Sequence, residues 1–104
     1  MNVEQLKKEI RKILGDQVRF NDDFKKLALQ IKNQESVLLS WCVDVANKKI
    51  SPKIPKNNKD VIVFIKKIGS SNRCVVLKLK DEEFIECHLG NHKYYDYLRK
   101  QIGV

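Results

Sequence analysis

Val61-Ile-Val-Phe-Ile-Lys-Lys-Ile68, Gly69-Ser-Ser-Asn72, Arg73-Cys-Val-Val-Leu-Lys-Leu-Lys80, Asp81-Glu-Glu83 and Phe84-Ile-Glu-Cys-His-Leu89 follow one another without a break. Three β-rich runs separated by two short polar turns predict an antiparallel meander. Alternation puts Val75, Leu77 and Leu79 on one face of the middle run and Cys74, Val76, Lys78 and Lys80 on the other. In the last run Ile85, Cys87 and Leu89 form the apolar set, opposite Phe84, Glu86 and His88. The expectation is one face packed on the core and one open face carrying Lys78, Lys80, Glu86 and His88. Lys66 or Lys67 joins that open face according to register.

Working outward, the segment Ile50–Asp60 holds both prolines and reads as an exposed connector, because proline cannot propagate a helix. Before it, Val37–Ala46 is apolar nearly all round, with Leu38, Trp41, Cys42 and Val45, and predicts a deeply buried helix. The polar break Asn33-Gln34-Glu35-Ser36 separates it from an amphipathic helix carrying Phe24, Leu27, Ala28 and Ile31, so the two are expected to form a hairpin. Asn21-Asp22-Asp23 starts that helix, and Gln17-Val18-Arg19-Phe20 before it alternates like a short strand. At the amino terminus Asn2 and Gln5 make a capping box for a helix over about residues 3–14, with Val3, Leu6, Ile10, Ile13 and Leu14 on one stripe until Gly15 ends it. At the other end Gly90-Asn91 stops the last strand and caps a short helix carrying Tyr94, Tyr95, Leu98 and Ile102. The fold class is therefore α+β: one domain over residues 1–104, in which the three-stranded meander and an N-terminal strand form an antiparallel sheet packed against helices. Residues 1–15 form an extra helix ahead of a core at 17–104.

Composition bounds the function. A hydrophobic fraction of 42% supports a packed core. The longest nearly uncharged run, Gln34–Val43, falls far short of the about 20 apolar residues of a membrane span. The amino terminus alternates charge with apolar residues, unlike a secretion signal, so the expected location is the cytoplasm. Three cysteines, Cys42, Cys74 and Cys87, suit neither a disulfide framework nor a paired-thiolate metal site, and each reads as a small buried hydrophobe. Twenty-one Lys or Arg face 13 Asp or Glu, a formal charge of +8. Residues 1–47 hold eight basic and seven acidic residues, residues 48–104 thirteen and six, so the positive field belongs to the second half. Charge divided this way fits a polyanionic partner, because each neutralised phosphate releases condensed counterions; it also fits a merely solvated Lys-rich surface.

Chemistry-bearing residues concentrate in the same half. Lysines and Arg73 are of the type that can hold phosphates, Tyr94, Tyr95 and Tyr97 offer rings for unpaired bases or for helix packing, and His88 and His92 can move protons. The strand end at Gly90 separates the two histidines and no third ligand lies at metal spacing, so no metal and no cofactor is expected. Phosphate loops, dinucleotide glycine fingerprints and nucleophile elbows are absent, which removes most common enzyme classes.

The element order from Gln17 onward resembles the RelE/ParE superfamily of toxin–antitoxin toxins, in particular its RelE, YafQ and HigB-type ribonuclease branches. Val18-Arg-Phe-Asn-Asp-Asp-Phe-Lys-Lys26 is similar to the family's opening strand and charged helix entry. The stretch Ile65–Leu79 is similar to its strand, short turn and arginine-led strand, and Phe84–Asp96 to its final strand and His- and Tyr-bearing tail. The resemblance implies a RelE-like, metal-independent endoribonuclease that cleaves messenger RNA on the ribosome by attack of a 2′-hydroxyl on the adjacent phosphate, and that a cognate antitoxin protein neutralises. It implies that Lys67 and Arg73 hold the scissile phosphate, that His92 is the acid or base, and that Tyr95 or Tyr97 orients the nucleotide. Lys66, Lys78, Lys80, His88 and Tyr97 would then contact RNA. The extra amino-terminal helix departs from the pattern and is expected to cover a surface, replace an antitoxin contact or form a homodimer. Two other readings stay open: a non-catalytic member of the fold, either a gyrase inhibitor or an RNA-binding module, and a small oligomeric interaction protein.

Overall fold

A capping box starts the chain: the Asn2 side chain accepts from the Gln5 N–H at 2.8 Å while the Gln5 side chain accepts from the Asn2 N–H at 3.0 Å. It opens α1 (Val3–Leu14), which Gly15 ends at a left-handed φ of 127° that favours glycine. The computed structural model describes residues 1–104. After α1 come β1 (Arg19–Phe20), α2 (Phe24–Gln30), a single 3₁₀ turn (Lys32–Gln34) and α3 (Glu35–Ala46). Then follow β2 (Val61–Ile68), β3 (Asn72–Leu79), β4 (Phe84–Asn91) and α4 (His92–Ile102). No helix is long and apolar enough to cross a membrane.

The architecture is α+β, with the meander as expected, but the sheet is mixed. Its order is β1-β4-β3-β2, and β1 runs parallel to β4 while the other pairs are antiparallel. The helical excursion through α2 and α3 returns the chain to the far side of the sheet, so β4 arrives alongside β1 in the same direction. β1 contributes two residues, and the Asn21 side chain supplies the next rung: its amide N–H donates to the Leu89 carbonyl at 2.9 Å and its Oδ1 accepts from the Leu89 N–H at 2.8 Å.

The face assignment expected from alternation is corrected by the register. Val75 lies opposite His88, Val76 opposite Cys87, and Leu77 opposite Glu86. Cys74, Val76, Cys87 and Leu89 therefore face α1, α2 and α3 in the main core with Phe24, Leu38 and Phe64. Val75 and Leu77 face the other way and pack with Val63 and Leu98 under α4. Residues 74–77 are all buried, so period-two polarity could not choose a face. A bulge between Leu77 and Lys78 then pairs Lys78 with Phe84 and leaves Ile85 unpaired, placing it with the α4-side cluster. Lys78, in phase with Cys74 and Val76, stands on the α1–α3 side, away from Glu86 and His88.

The connector is tied down more than its composition suggested. The Lys53 N–H donates to the Val63 carbonyl at 2.7 Å and the Val63 N–H to the Lys53 carbonyl at 2.9 Å, which shields part of the β2 edge. Pro55 is buried, and the Lys56 N–H donates to the Gly103 carbonyl at 3.0 Å beside the end of α4.

Leu6, Ile10 and Leu14 are buried within the chain's own core against α3. The stripe through which a homodimer was expected is spent on folding. Ile10→Ala should lower unfolding free energy by about 2–5 kcal/mol, the usual cost of a buried large-to-small change, in urea denaturation. A loss below about 1 kcal/mol would mean that α1 is an appendage and not part of the core.

Candidate nucleic-acid interface

Arg73 and Gly90 are cross-strand neighbours, and Lys67 sits opposite Arg73 on the next strand, so one row of the sheet carries both cations on the α4 face. Two residues beyond Gly90 the strand becomes α4, capped by the Asn91 side chain, which accepts from the Tyr94 N–H at 2.9 Å. This turn brings the start of α4 over the Arg73 row. Ser70, Ser71, Arg73, Asn91, His92 and Lys93 line an open depression there, with no apolar residue among them. The positive end of α4 adds to the cations.

His92 is well exposed, at 66% of its side chain, and its Nε2 lies 3.5 Å from the Asp96 Oδ2 one helical turn on, which orients the ring. Tyr95 sits between two guanidinium groups, with those of Arg73 and Arg99 each 5.7 Å from its ring centroid. Its ring is therefore a brace for Arg73 more than a free platform for a base. Tyr97, 60% exposed, presents the more accessible ring. Of the expected site residues, Arg73, Lys67, His92 and Tyr95 do converge on one face.

Three of the expected RNA contacts do not join them. Lys66 pairs with Cys74 and faces the helical layer, lining a shallow groove with Trp41 and Asp44. Lys78 and Lys80 lie at the far end of β3, around a different cavity on that same side. Alternation along β2 and β3 puts them there, so no single surface holds all the lysines that the sequence grouped.

His88 is on the α4 face but belongs to a chain of hydrogen bonds that sequence reasoning missed. Burial first, and then the carboxylates of Glu86, Asp22 and Asp23, raise the Tyr94 pKa above the ordinary phenol value, so the hydroxyl keeps its proton. The His88 Nε2–H donates to Glu86 Oε1 at 2.6 Å, and the Tyr94 hydroxyl lies 2.8 Å from His88 Nδ1, donating to it when the imidazole is neutral and accepting from it when the ring is protonated. Gly90 makes room for this arrangement: a Cβ there would lie 2.2 Å from the Tyr94 ring. The signals were the alternate spacing of Glu86 and His88 on one strand and a glycine inside it, which reads equally well as a strand end.

Compared with known proteins, the chain matches no family model, no curated protein and no solved structure.

The hydrogen bond from His88 is the main cause that holds the Glu86 carboxyl below its ordinary pKa, with the charges of His88 and Arg19 adding and burial opposing. A carboxylate lowered on folding contributes stability above its unfolded pKa, and that contribution is lost as pH falls through the folded value. Glu86→Gln should therefore be less stable than wild type at neutral pH, with the gap narrowing as pH drops below the ordinary carboxylate range in urea titrations. A gap independent of pH would show that the carboxylate's charge plays no part. Gly90→Ala should cost about 1–3 kcal/mol through overpacking and should move the His88 and Tyr94 ring resonances in NMR spectra; unmoved rings would exclude the close approach.

Proposed function

We propose that the chain is a metal-independent endoribonuclease of RelE-like type, acting in the cytoplasm on messenger RNA at the ribosome and neutralised by a cognate antitoxin. The observation that carries the reading is that Arg73 and His92 line one open polar depression at the positive end of α4, with Lys67 in the same row of the sheet. The element order strand, two helices, three strands supports it as well.

In this reading Arg73 and Lys67 take the scissile phosphate. Arg73, braced by Tyr95, stabilises the charge that grows on the phosphate oxygens as the 2′-hydroxyl attacks. A cyclic phosphate forms, the bond to the 5′-oxygen breaks, and the proton lost by the 2′-hydroxyl is balanced by one gained at that oxygen. His92, oriented by Asp96, serves one of these two transfers. Tyr97 offers an exposed ring for a neighbouring base.

The openness of the depression favours a second reading, RNA binding without cleavage, since nothing around His92 excludes water. The two readings part at the imidazole. Under the first, induced expression arrests growth with new messenger-RNA 5′ ends, and His92→Ala or Arg73→Ala lowers cleavage by about 10²–10⁴-fold, the range of a lost proton-transfer group. Lys100→Ala, on the distal part of α4, has little effect. Under the second, His92→Ala leaves RNA affinity intact while Arg73→Ala weakens it and flattens its salt dependence by about one phosphate contact. Unchanged arrest and cleavage in both folded variants would overturn the ribonuclease assignment.

A further inference from the structure

Lys78 and Lys80, which the Arg73 face leaves out, border a cavity of about 630 Å³ on the opposite side of the sheet. Its walls are the end of α3, the segment that follows it, β2 and the β3–β4 turn. Half of its lining is apolar, with Ile50, Ile62, Phe64 and Phe84 inside and the 61% exposed Ile54 at the lip. Lys48 and Lys49 join Lys78 and Lys80 around it, against a single acidic residue, Asp81. None of these four lysines makes an ion pair; the chain's salt bridges all lie elsewhere. Lys78 Nζ stands 5.6 Å over the Phe84 ring, so cationic and apolar surfaces meet inside the same cavity.

The backbone marks the same place. Only two non-glycine residues have a left-handed φ, Lys48 at 62° and Asp81 at 63°, and both line this cavity. Both sit at chain reversals, just past α3 and in the β3–β4 turn, and these two reversals form the rim of the cavity.

We propose that this cavity binds an amphiphilic anion, a small molecule with an apolar body and a carboxylate head. The volume lies within the range of small-molecule pockets, and the mixture of apolar walls with a few charged groups is the composition such ligands require. Burying the apolar body in the cavity gains the hydrophobic free energy of its surface, and the head group relieves the repulsion among unpaired lysines. A nucleic acid offers the charge without an apolar body to fill the cavity. The inference stands apart from the ribonuclease reading, since it uses none of the same residues.

The test uses the whole chain and dodecanoate below its micelle concentration, followed by amide NMR shifts and calorimetry. Dodecanoate should shift residues 48–54 and 78–84 saturably, whereas dodecyltrimethylammonium, with the same chain and the opposite charge, should not. Lys78→Gln with Lys80→Gln should weaken binding at least about tenfold, the scale of a lost charge-assisted contact. Lys25→Gln with Lys26→Gln, equal in charge and placed on α2, should leave it unchanged. Ile54→Ser, at the exposed lip, tests the apolar half without touching the core. Equal binding of both amphiphiles, equal loss in both lysine pairs, or no saturable shift would overturn the proposal. So would saturation by an acidic peptide with leucine and phenylalanine anchors but no response to dodecanoate.

Discussion

The candidate site at the start of α4 is placed by one constraint: the sheet is apolar on both faces and must be covered twice. β3 supplies the reason, with four successive buried residues, Cys74, Val75, Val76 and Leu77. Cys74 and Val76 are covered by the layer of α1, α2 and α3, and Val75 and Leu77 by α4. A sheet with one solvated face would have left its second side as a flat polar surface. Here the second side is a helix lying on strands, and the polar residues are displaced to where α4 begins. That is why Arg73 and His92 meet.

The beginning of α4 is held by contacts that act together. Asn91 caps the helix, Gly90 lets the Tyr94 ring approach the strand, and the Tyr94 hydroxyl closes the hydrogen-bonded chain through His88 to Glu86. A part-buried carboxylate on a sheet face is costly unless it is paired, and the imidazole supplies the pairing. In return the chain fixes the angle at which α4 leaves the sheet, and with it the position of His92, two residues before Tyr94. Tyr95, the next residue, turns to the other side and meets Arg73 and Arg99. Neighbouring tyrosines thus do different work, one joining the helix to the sheet and one bracing a guanidinium.

Local signals were legible where they are short-range. The Asn2 and Gln5 box, the stripe from Leu6 to Leu14, the Asn91 cap and the three strands follow from spacing and end chemistry within a few residues. Lys67, Arg73, His92 and Tyr95 share one face, and in the sequence no motif of their own groups them. What could not be read depends on register. The parallel pairing of β1 rests on an Asn21 side chain reaching Leu89, 68 residues away. Which face of β4 joins which face of β3 rests on their register, and the side taken by Phe84 and Ile85 on a bulge that no local pattern announces. Glu86 and Tyr94 went unassigned because a strand residue and a helix residue become partners only after Gly90 brings them together.

The lysines are divided by alternation along β2 and β3, and the bulge decides what stands beside them. Without it, strict alternation would have kept Phe84 in phase with Glu86 and His88, drawing the β3–β4 turn toward the α4 face. The unpaired Ile85 instead brings Phe84 beside Lys78 and the end of α3, where they wall a half-apolar cavity. Arg73, with Lys67 in its row of the sheet, borders a depression with no apolar lining at all. A formal charge of +8 therefore describes two surfaces of different chemistry. One can meet a phosphate only through charge and hydrogen bonds, and is strongly sensitive to salt; the other adds apolar burial, which salt does not screen. Net charge alone predicts a polyanion for both, and it is the hydrophobic lining, to which one extra residue in a strand adds Phe84, that tells them apart.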